Sequence, residues 1–225
     1  MTRYNRWKAG FIALAVVGMV AAAAWALLDS RFLVVRSVAV TGSNHLVPES
    51  EVLAAAAIPK GLPLVRVNTG DAARRIERIT QVKTAVVTRD WPNRISITIV
   101  ERTPVLAVAD GHKFDLIDPT GVIVQQVARQ PKRMPRFTPS GPLLHSPDVS
   151  AAASVLRSLP ATMARQVKSV TAPNADSVTL RLADGDTVDW GSAGQTAQKA
   201  KVLAILMHTH AHYYDVSAPG TAVTG

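Results

Sequence analysis

Three histidines near the carboxyl end are the side chains of this sequence that come nearest to a metal-binding pattern. His208 and His212 are four residues apart, so in a helix they lie on one face and could share an ion. His210 lies between them. No glutamate stands between the histidines and no third ligand is evident, as a hydrolytic zinc site would require. We therefore prefer a solvated helix end, where cations are favoured, over a metal site.

The remaining candidates for chemistry are also incomplete. Asp184, Asp186 and Asp189 are spaced like ligands of a calcium loop, but apolar residues and a tryptophan occupy the other ligand positions, so a hairpin turn explains them better. No serine lies in a G-x-S-x-G motif, and no glycine-rich phosphate loop with its lysine is present. There are no cysteines. The sequence predicts no enzyme, no cofactor, no metal and no small-molecule substrate.

The charge of the chain could suggest a polyanionic partner. The formal net charge is +9 and the isoelectric point is about 10.4. The densest basic runs are Arg74–Arg78 and Lys132–Arg136, and neither contains the interleaved aromatic residues on which bases stack. The sequence therefore predicts no nucleic-acid binding.

The elements that would position these residues follow an apolar segment, residues 10–28. None of its nineteen residues is charged. At about 1.5 Å per residue, a helix of this length matches the hydrocarbon thickness of a bilayer. Three basic residues precede the segment, namely Arg3, Arg6 and Lys8. The pattern predicts a transmembrane helix in the lipid bilayer with the N-terminus in the cytoplasm.

A cleavable signal peptide is the alternative interpretation of the same segment. Ala24 and Ala26 flank Trp25 in the manner of a small-residue cleavage site. The apolar run is longer than the usual signal core, which favours an uncleaved anchor.

Residues 38–102 follow a pattern of one strand, two helices and two further strands. A short alternating run comes first, and Pro48 with the acids after it predicts the start of a helix. Thr69 opens a second helix with an apolar stripe. The runs Gln81–Arg89 and Arg94–Glu101 are predicted strands, and isoleucines alternate with other residues in the second. The predicted order is β-α-α-β-β.

The rest of the chain predicts a β domain with flanking helices. A β-meander is followed by a proline-rich surface segment, Ala128–Pro147, and then by a helix that Ser146 caps. A later helix over Gln195–His212 is predicted to have Ile205 on its apolar side and Lys199 elsewhere. The chain closes on strand-like residues, which predicts either an inert tail or an exposed sheet edge to which a partner can add a strand.

Three pieces of this sequence together resemble a known family. They are VAVTG at Val38–Gly42, RDWPN at Arg89–Asn93 and ITIVERTP at Ile97–Pro104. In this order, and behind an apolar segment, they are similar to the POTRA domain of the bacterial cell-division family FtsQ/DivIB. The likeness extends over nearly the whole chain.

The resemblance implies an α+β protein with a single N-terminal transmembrane helix, a POTRA domain and a mixed β domain with flanking helices. The implied domains are a cytoplasmic tail at residues 1–9, a transmembrane helix at residues 10–28, a POTRA domain at residues 34–103 and a β domain at residues 104–225. The protein would cross the cytoplasmic membrane once, with both folded domains outside the cytoplasm, and would be enriched at the division septum.

The function implied by the resemblance is that of a non-enzymatic divisome scaffold. Its partners would be the membrane-anchored division proteins FtsB and FtsL, and through them the septal peptidoglycan synthase pair FtsW and FtsI. An alternative function is a POTRA-type chaperone for exported polypeptides outside the cytoplasm.

The resemblance also implies two binding surfaces. The FtsB-like partner would bind the C-terminal strand region at Tyr214, Asp215, Val216, Ser217, Ala218, Gly220, Ala222 and Val223. A recruitment surface on the POTRA domain would include Arg75, Arg78, Val82, Val86 and Trp91. Well-known proteobacterial members carry a tyrosine and a basic residue before the final turn, whereas this chain has Ser217-Ala218-Pro219-Gly220. This difference affects the side chains that would anchor the partner. It does not affect the backbone groups to which a strand would be added.

Individual residues of the second surface have two interpretations. Trp91 could be half-buried at its turn or could form an exposed contact surface, and packing is favoured. The arginines of the second predicted helix, including Arg74, could be a solvated face or could attract an acidic partner.

Overall fold

The chain divides into two units between Glu101 and Arg102. The computed structural model describes residues 3–29, 33–43, 46–209, 211–218 and 220–225, and within the first helix it leaves out the side chains of residues 3–6, 24 and 26–29. The first unit is Met1–Glu101 and the second is Arg102–Gly225. Each unit has a buried apolar cluster of its own.

The first unit begins with helix α1, Arg3–Asp29. The predicted transmembrane segment, residues 10–28, lies within this helix. Over the described residues, no helix meets the length and apolarity required to cross a membrane. Four side chains of the predicted segment, at positions 24 and 26–28, lie outside those residues. The predicted transmembrane helix is therefore not confirmed by the structure.

The remainder of the first unit has the predicted β-α-α-β-β order. Its elements are β1 (Ser37–Thr41), α2 (Glu49–Ala56), a short 3-10 helix (Leu64–Arg66), α3 (Thr69–Ile76), β2 (Val82–Asp90) and β3 (Arg94–Glu101). The local chemistry agrees with these bounds, because Glu49 and Glu51 lie in the first turn of α2 and the Asn68 side chain caps α3.

The three strands form a sheet in the order β1-β3-β2. β1 is parallel to β3, and β2 is antiparallel to it. Ile95, Ile97 and Ile99 of the central strand are buried on the face that α2 and α3 cover. The alternation in the sequence thus directs one side of β3 into the core and leaves the other side to solvent.

Two charged side chains tie loops of this unit to the sheet. Arg89 of β2 donates through Nε to the carbonyl oxygen of Leu64 at 2.8 Å and through Nη2 to that of Val67 at 2.7 Å. The Glu101 carboxylate accepts from the backbone N–H of Val47 at 3.2 Å. Both residues belong to the sequence pieces that carried the family resemblance, and here they satisfy backbone groups of irregular segments.

The second unit contains nine strands and three α-helices among the described residues. In chain order they are β4 (Leu106–Asp110), β5 (Lys113–Ile117), β6 (Ile123–Val127), β7 (Arg136–Thr138), α4 (Pro147–Ser158), α5 (Ala161–Ala164), β8 (Val167–Thr171), β9 (Val178–Leu182), β10 (Thr187–Gly191), α6 (Thr196–Leu206), β11 (Tyr213–Asp215) and β12 (Val223–Thr224).

These strands form a single sheet in the order β12-β11-β10-β9-β8-β7-β4-β5-β6. Its core combines strand residues such as Phe137, Leu180 and Trp190 with Val155 of α4 and Leu203 of α6. The α+β architecture and the mixed sheet predicted for this region are therefore confirmed.

The structure differs from the prediction in two places. The proline-rich segment was expected to be extended over the surface, but residues 136–138 form the internal strand β7, parallel to both β4 and β8. The last helix also has a different buried side. Lys199 is buried, with 2% of its surface exposed, whereas Ile205 is 69% exposed. The prediction for these two side chains was wrong, because Lys199 finds backbone acceptors inside the fold.

Candidate partner-binding edge

The last two strands build one end of the nine-stranded sheet. β11 runs parallel to β10, with Tyr214 opposite Val188, and β12 returns antiparallel to β11. The N–H of Val216 donates to the carbonyl oxygen of Asp189 at 2.9 Å, which continues the pairing past β11. β12 is the terminal strand of the order, so its outer side has no neighbouring strand in the described sheet.

Hydrogen bonding at this end shows which backbone groups point outward. Tyr213 and Gly225 exchange two bonds, at 3.0 and 3.1 Å. Tyr214 faces Thr224 and Asp215 faces Val223 in the next two pairs. Because hydrogen-bonded and non-hydrogen-bonded pairs alternate in an antiparallel ladder, Val223 bonds inward to β11 and Thr224 turns its N–H and C=O outward. Thr224 is therefore the strand residue whose backbone is free to accept another strand.

The predicted partner-binding residues divide into buried and accessible sets. Tyr214 and Val216 are 1% and 0% exposed and belong to the core. Asp215 and Ala222 are partly buried. The accessible residues are Ser217, Ala218, Gly220 and Val223. The structure thus brings the predicted set together at one sheet end, where two of its members support the edge from within.

The two tyrosines of β11 remain neutral at physiological pH. Burial raises the pKa of the Tyr213 phenol, and the negative charges of Asp189 and Asp215 raise it further. Burial also raises the pKa of Tyr214, with a further contribution from Asp186. Both phenols therefore stay protonated well into the alkaline range.

The buried ammonium group of Lys199 binds the end of β10, the strand that pairs with β11. Lys199 of α6 donates through Nζ to the carbonyl oxygens of Trp190 and Ser192, both at 2.9 Å. Burial lowers the pKa of Lys199, although Asp189 and Asp215 oppose that shift. The contact joins α6 to the end of β10 and so fixes the strand that pairs with β11.

Gly191 allows the final turn to pass close to the end of β10. Its φ is +67°, and a Cβ placed there would lie 2.9 Å from the Cβ of Ser217. A side chain at this position would meet both a disfavoured backbone conformation and the turn itself. The glycine therefore permits the approach of residues 216–218 to the sheet.

The residues predicted for the POTRA recruitment surface also differ in their exposure. Val82 is 1% exposed and belongs to the core, whereas Val86 and Trp91 are 57% and 51% exposed. Arg78 is exposed, but Arg75 is partly buried and donates through Nε to the carbonyl oxygen of Ala55 at 3.2 Å and through Nη2 to that of Ala56. Arg75 thus satisfies the last carbonyls of α2, which gives it a structural role.

Comparison with known proteins places this architecture in a family. A family model described as "POTRA domain, FtsQ-type" matches residues 33–102, and one described as "Cell division protein FtsQ/DivIB, C-terminal" matches residues 107–217. A curated relative named cell division protein FtsQ, from Streptomyces venezuelae, is 39% identical over 222 residues, which cover 94% of this chain and 82% of the relative. The chain belongs to the FtsQ/DivIB family.

Other members of the FtsQ/DivIB family give similar matches. The FtsQ protein of Mycobacteroides abscessus is 39% identical over 82% of this chain and 59% of its own length. The solved extracytoplasmic domain of DivIB from Geobacillus stearothermophilus matches 45% of this chain and 87% of that domain, with 19% identity and a TM-score of 0.36. The family assignment makes this chain a division-related membrane protein.

Among the described residues of this FtsQ/DivIB chain, no group of three or more histidine, aspartate or glutamate side chains is placed to hold a metal ion. His212 contacts Asp186 through Nδ1 at 3.0 Å, and its side chain is 95% exposed. His210 lies outside the described residues. The hairpin between β9 and β10 accounts for Asp184 and Asp186, since the Asp184 carboxylate accepts from the Asp186 N–H.

Sequence reasoning missed two residues of the edge. Thr224 has the outward backbone groups. This orientation is known only from the register, because Thr224 is next to Gly225, which is hydrogen-bonded to Tyr213 of β11. Lys199 was assigned to the polar side of its helix because lysine is rarely buried. A signal was nevertheless present, because Lys199 is four residues from Leu203 and therefore shares its buried face.

Proposed function

We propose that this chain is a non-enzymatic divisome scaffold that captures a membrane-anchored division protein by strand addition to β12. The observation that carries the proposal is the position of β12 at the end of the sheet order with the backbone of Thr224 directed outward. Strand addition takes its affinity from main-chain hydrogen bonds and its specificity from alternate side chains. The proposed partners are FtsB and FtsL, with FtsW and FtsI as indirect ones, as the family resemblance implies.

The side chains around the edge support this use. Val223 is 58% exposed and Tyr213 is 40% exposed, so an incoming strand would cover apolar surface beside the backbone ladder. The strand is short, with only two residues in β12. A short edge is resistant to indiscriminate pairing, which suits a scaffold with a dedicated partner.

The experiment that tests this function changes only the outward donor. Thr224→Pro removes the N–H that faces a partner but leaves the Val223 pair with β11 intact. We expect the full-length variant, expressed in its native host, to lose co-purification of small coiled-coil division proteins. Thr224→Val is the matched control, because it keeps the N–H and a β-branched side chain. Capture that survives in the proline variant, or capture of unfolded exported polypeptides instead, would reject the scaffold mechanism.

We also propose that residues 10–28 anchor the chain in the cytoplasmic membrane, with the basic N-terminus inside. The support is that apolar side chains of α1 are exposed on several sides of the helix. Their exposed fractions are 85% for Trp7, 75% for Phe11, 73% for Leu14, 74% for Met19 and 70% for Trp25. A continuous apolar surface of this kind is uncommon in contact with water.

Extraction of membranes tests the anchor separately from partner capture. We expect the full-length chain to stay with the membrane in alkaline carbonate and a version lacking residues 1–29 to be released. A fluorescent fusion should then concentrate at the division septum. Release of the full-length chain by carbonate would refute the anchor.

A further inference from the structure

A segment of the second unit, far along the chain from β12, carries an unbalanced positive charge. Between Asp118 and Asp148 the sequence contains no acidic residue. Four cations lie within eight residues of that stretch, namely Arg129, Lys132, Arg133 and Arg136. We call Arg129–Arg136 the basic crossover, because it connects β6 to β7. All four side chains are exposed, and none of them takes part in an ion pair identified among the described residues.

The middle of the basic crossover is a closed turn. The N–H of Met134 donates to the carbonyl oxygen of Pro131 at 3.1 Å. The side chain of Gln130 donates through Nε2 to the carbonyl oxygen of Met134 at 2.9 Å. Lys132 and Arg133 therefore occupy the two central positions of a hydrogen-bonded turn, and both side chains are exposed.

One end of the basic crossover packs on an aromatic ring. The guanidinium carbon of Arg136 lies 5.3 Å from the centroid of Phe114. Phe114 pairs with Val127, the last residue of β6, and Arg129 follows two residues later. Arg136 thus lies over the β5 residue whose β6 partner is two positions before Arg129 in the chain.

The carboxylate next to Phe114 in the sequence points away from this cluster. Asp115 follows Phe114 in β5 and so lies on the opposite face of the sheet. It is buried there and accepts from Nε2 of Gln126 at 2.9 Å. Its charge is directed to the other side of the sheet, which leaves the cations of the basic crossover available for an external anion.

We propose that the basic crossover binds a linear polymer through its phosphate groups. Three of its four cations are arginines, whose planar guanidinium groups match phosphate oxygens in pairs. Arg136 lies over the Phe114 ring, so that ring is not open for stacking a base. The recognised chemistry is therefore a repeated phosphate and not a nucleobase. This site goes beyond the scaffold function and lies on the half of the sheet order that ends at β6 rather than at β12.

The test uses the full-length chain in detergent and fluorescently labelled inorganic polyphosphate as the probe. Binding is followed by anisotropy between about 50 and 200 mM salt. The variant Arg129→Ala/Lys132→Ala/Arg133→Ala leaves the packed Arg136 in place. We expect its affinity to fall at least about tenfold, and the slope of log affinity against log salt to decrease by about one for each cation removed.

A second triple variant controls for net charge. Lys60→Ala/Arg66→Ala/Lys168→Ala removes the same three charges at exposed positions outside the basic crossover, and we expect it to bind polyphosphate as the unmodified chain does. An equal loss in both variants would overturn the assignment of the site. Equal affinity for polyglutamate of matched length, or tighter binding of single-stranded DNA, would overturn phosphate as the recognised group. Binding only to vesicles that contain phosphatidylglycerol would identify a lipid surface and overturn the proposal as well.

Discussion

Arg75 shows how one side chain can be assigned two roles with different experimental consequences. It was predicted as part of a recruitment surface, and in the structure it donates to the carbonyl oxygens of Ala55 and Ala56 at the end of α2. A loss of partner recruitment in an Arg75 variant would therefore not by itself identify a binding contact. Stability and binding have to be measured together at this position.

We expect Arg75→Ala to lower the free energy of unfolding of the first unit by about 1–2 kcal/mol, because two helix-terminal carbonyls lose their donor. Urea denaturation of the full-length chain measures the change. Arg78→Ala is the control, since Arg78 is exposed and its removal should change stability by less than about 0.5 kcal/mol. Equal stability of the two variants would contradict the capping role.

Asp118 is a second residue whose environment predicts a measurable effect. Its carboxylate accepts from Arg102 at 2.6 Å, from the Thr120 hydroxyl at 2.7 Å and from the N–H groups of Thr120 and Val122. Burial alone would raise the pKa of Asp118, but these hydrogen bonds outweigh it and hold the pKa below its ordinary value of 3.8. The folded state thus binds its proton less readily than the unfolded chain.

The lowered pKa of Asp118 determines the direction in which the stability of the second unit changes with pH. The contribution of Asp118 to stability is fully present above about pH 3.8 and is lost as the pH falls through the lower folded pKa. We expect Asp118→Asn to cost about 2 kcal/mol at pH 7 and to reduce the acid-dependent loss of stability of the second unit. Denaturation at a series of pH values tests this, and an unchanged pH profile in the variant would refute it.

At the scale of elements, the turn after β1 depends on a glycine for two reasons. Gly42 has a φ of +83°, and a Cβ at that position would overlap the carbonyl oxygen of Ile99. Gly61 has a similar φ of +86° but nothing within 4 Å of its added Cβ. Alanine at position 61 would therefore add only the cost of the backbone conformation. Alanine at position 42 would add the cost of a steric overlap as well.

We expect Gly61→Ala to destabilise the first unit by about 1 kcal/mol, the cost of a left-handed conformation. Gly42→Ala should cost clearly more, about 3 kcal/mol, since β1 must also move away from β3. Thermal denaturation of both variants measures the difference. Equal effects would mean that the backbone relaxes freely around residue 42.

At the scale of the whole molecule, the two units have separate cores. One core is built from residues between Val35 and Ile99, the other from residues between Leu106 and Val216, and no residue belongs to both. A unit with its own core can unfold as its own cooperative transition. The chain is therefore expected to show two transitions by calorimetry.

Core substitutions should assign those transitions. Ile97→Ala is expected to lower the free energy of unfolding of the first unit alone, by about 2–4 kcal/mol. Leu180→Ala is expected to lower that of the second unit alone. Both side chains are fully buried, which makes the pair a matched comparison. A shift of both transitions by either single substitution would show that the units unfold together.

Most of the local elements could be predicted from neighbouring residues in the sequence. Strand β3 was predicted with its observed bounds, Arg94–Glu101, because strict alternation of isoleucines defines both the strand and its buried face. Ser146 was predicted as a helix cap, and its side chain accepts from the N–H of Asp148. Such features depend on neighbours within a few positions along the chain, and the family resemblance depended on three short pieces of the same kind.

Features that depend on contacts between residues distant in sequence could not be predicted in this way. β7 lies in a proline-rich segment without strand periodicity, and it exists because β4 and β8 provide partners on both sides. Lys199 is buried because the carbonyl oxygens of Trp190 and Ser192 converge on it. The outward direction of Thr224 follows from the register of β12 on β11. Register and convergence are properties of paired segments, so no single stretch of sequence contains them.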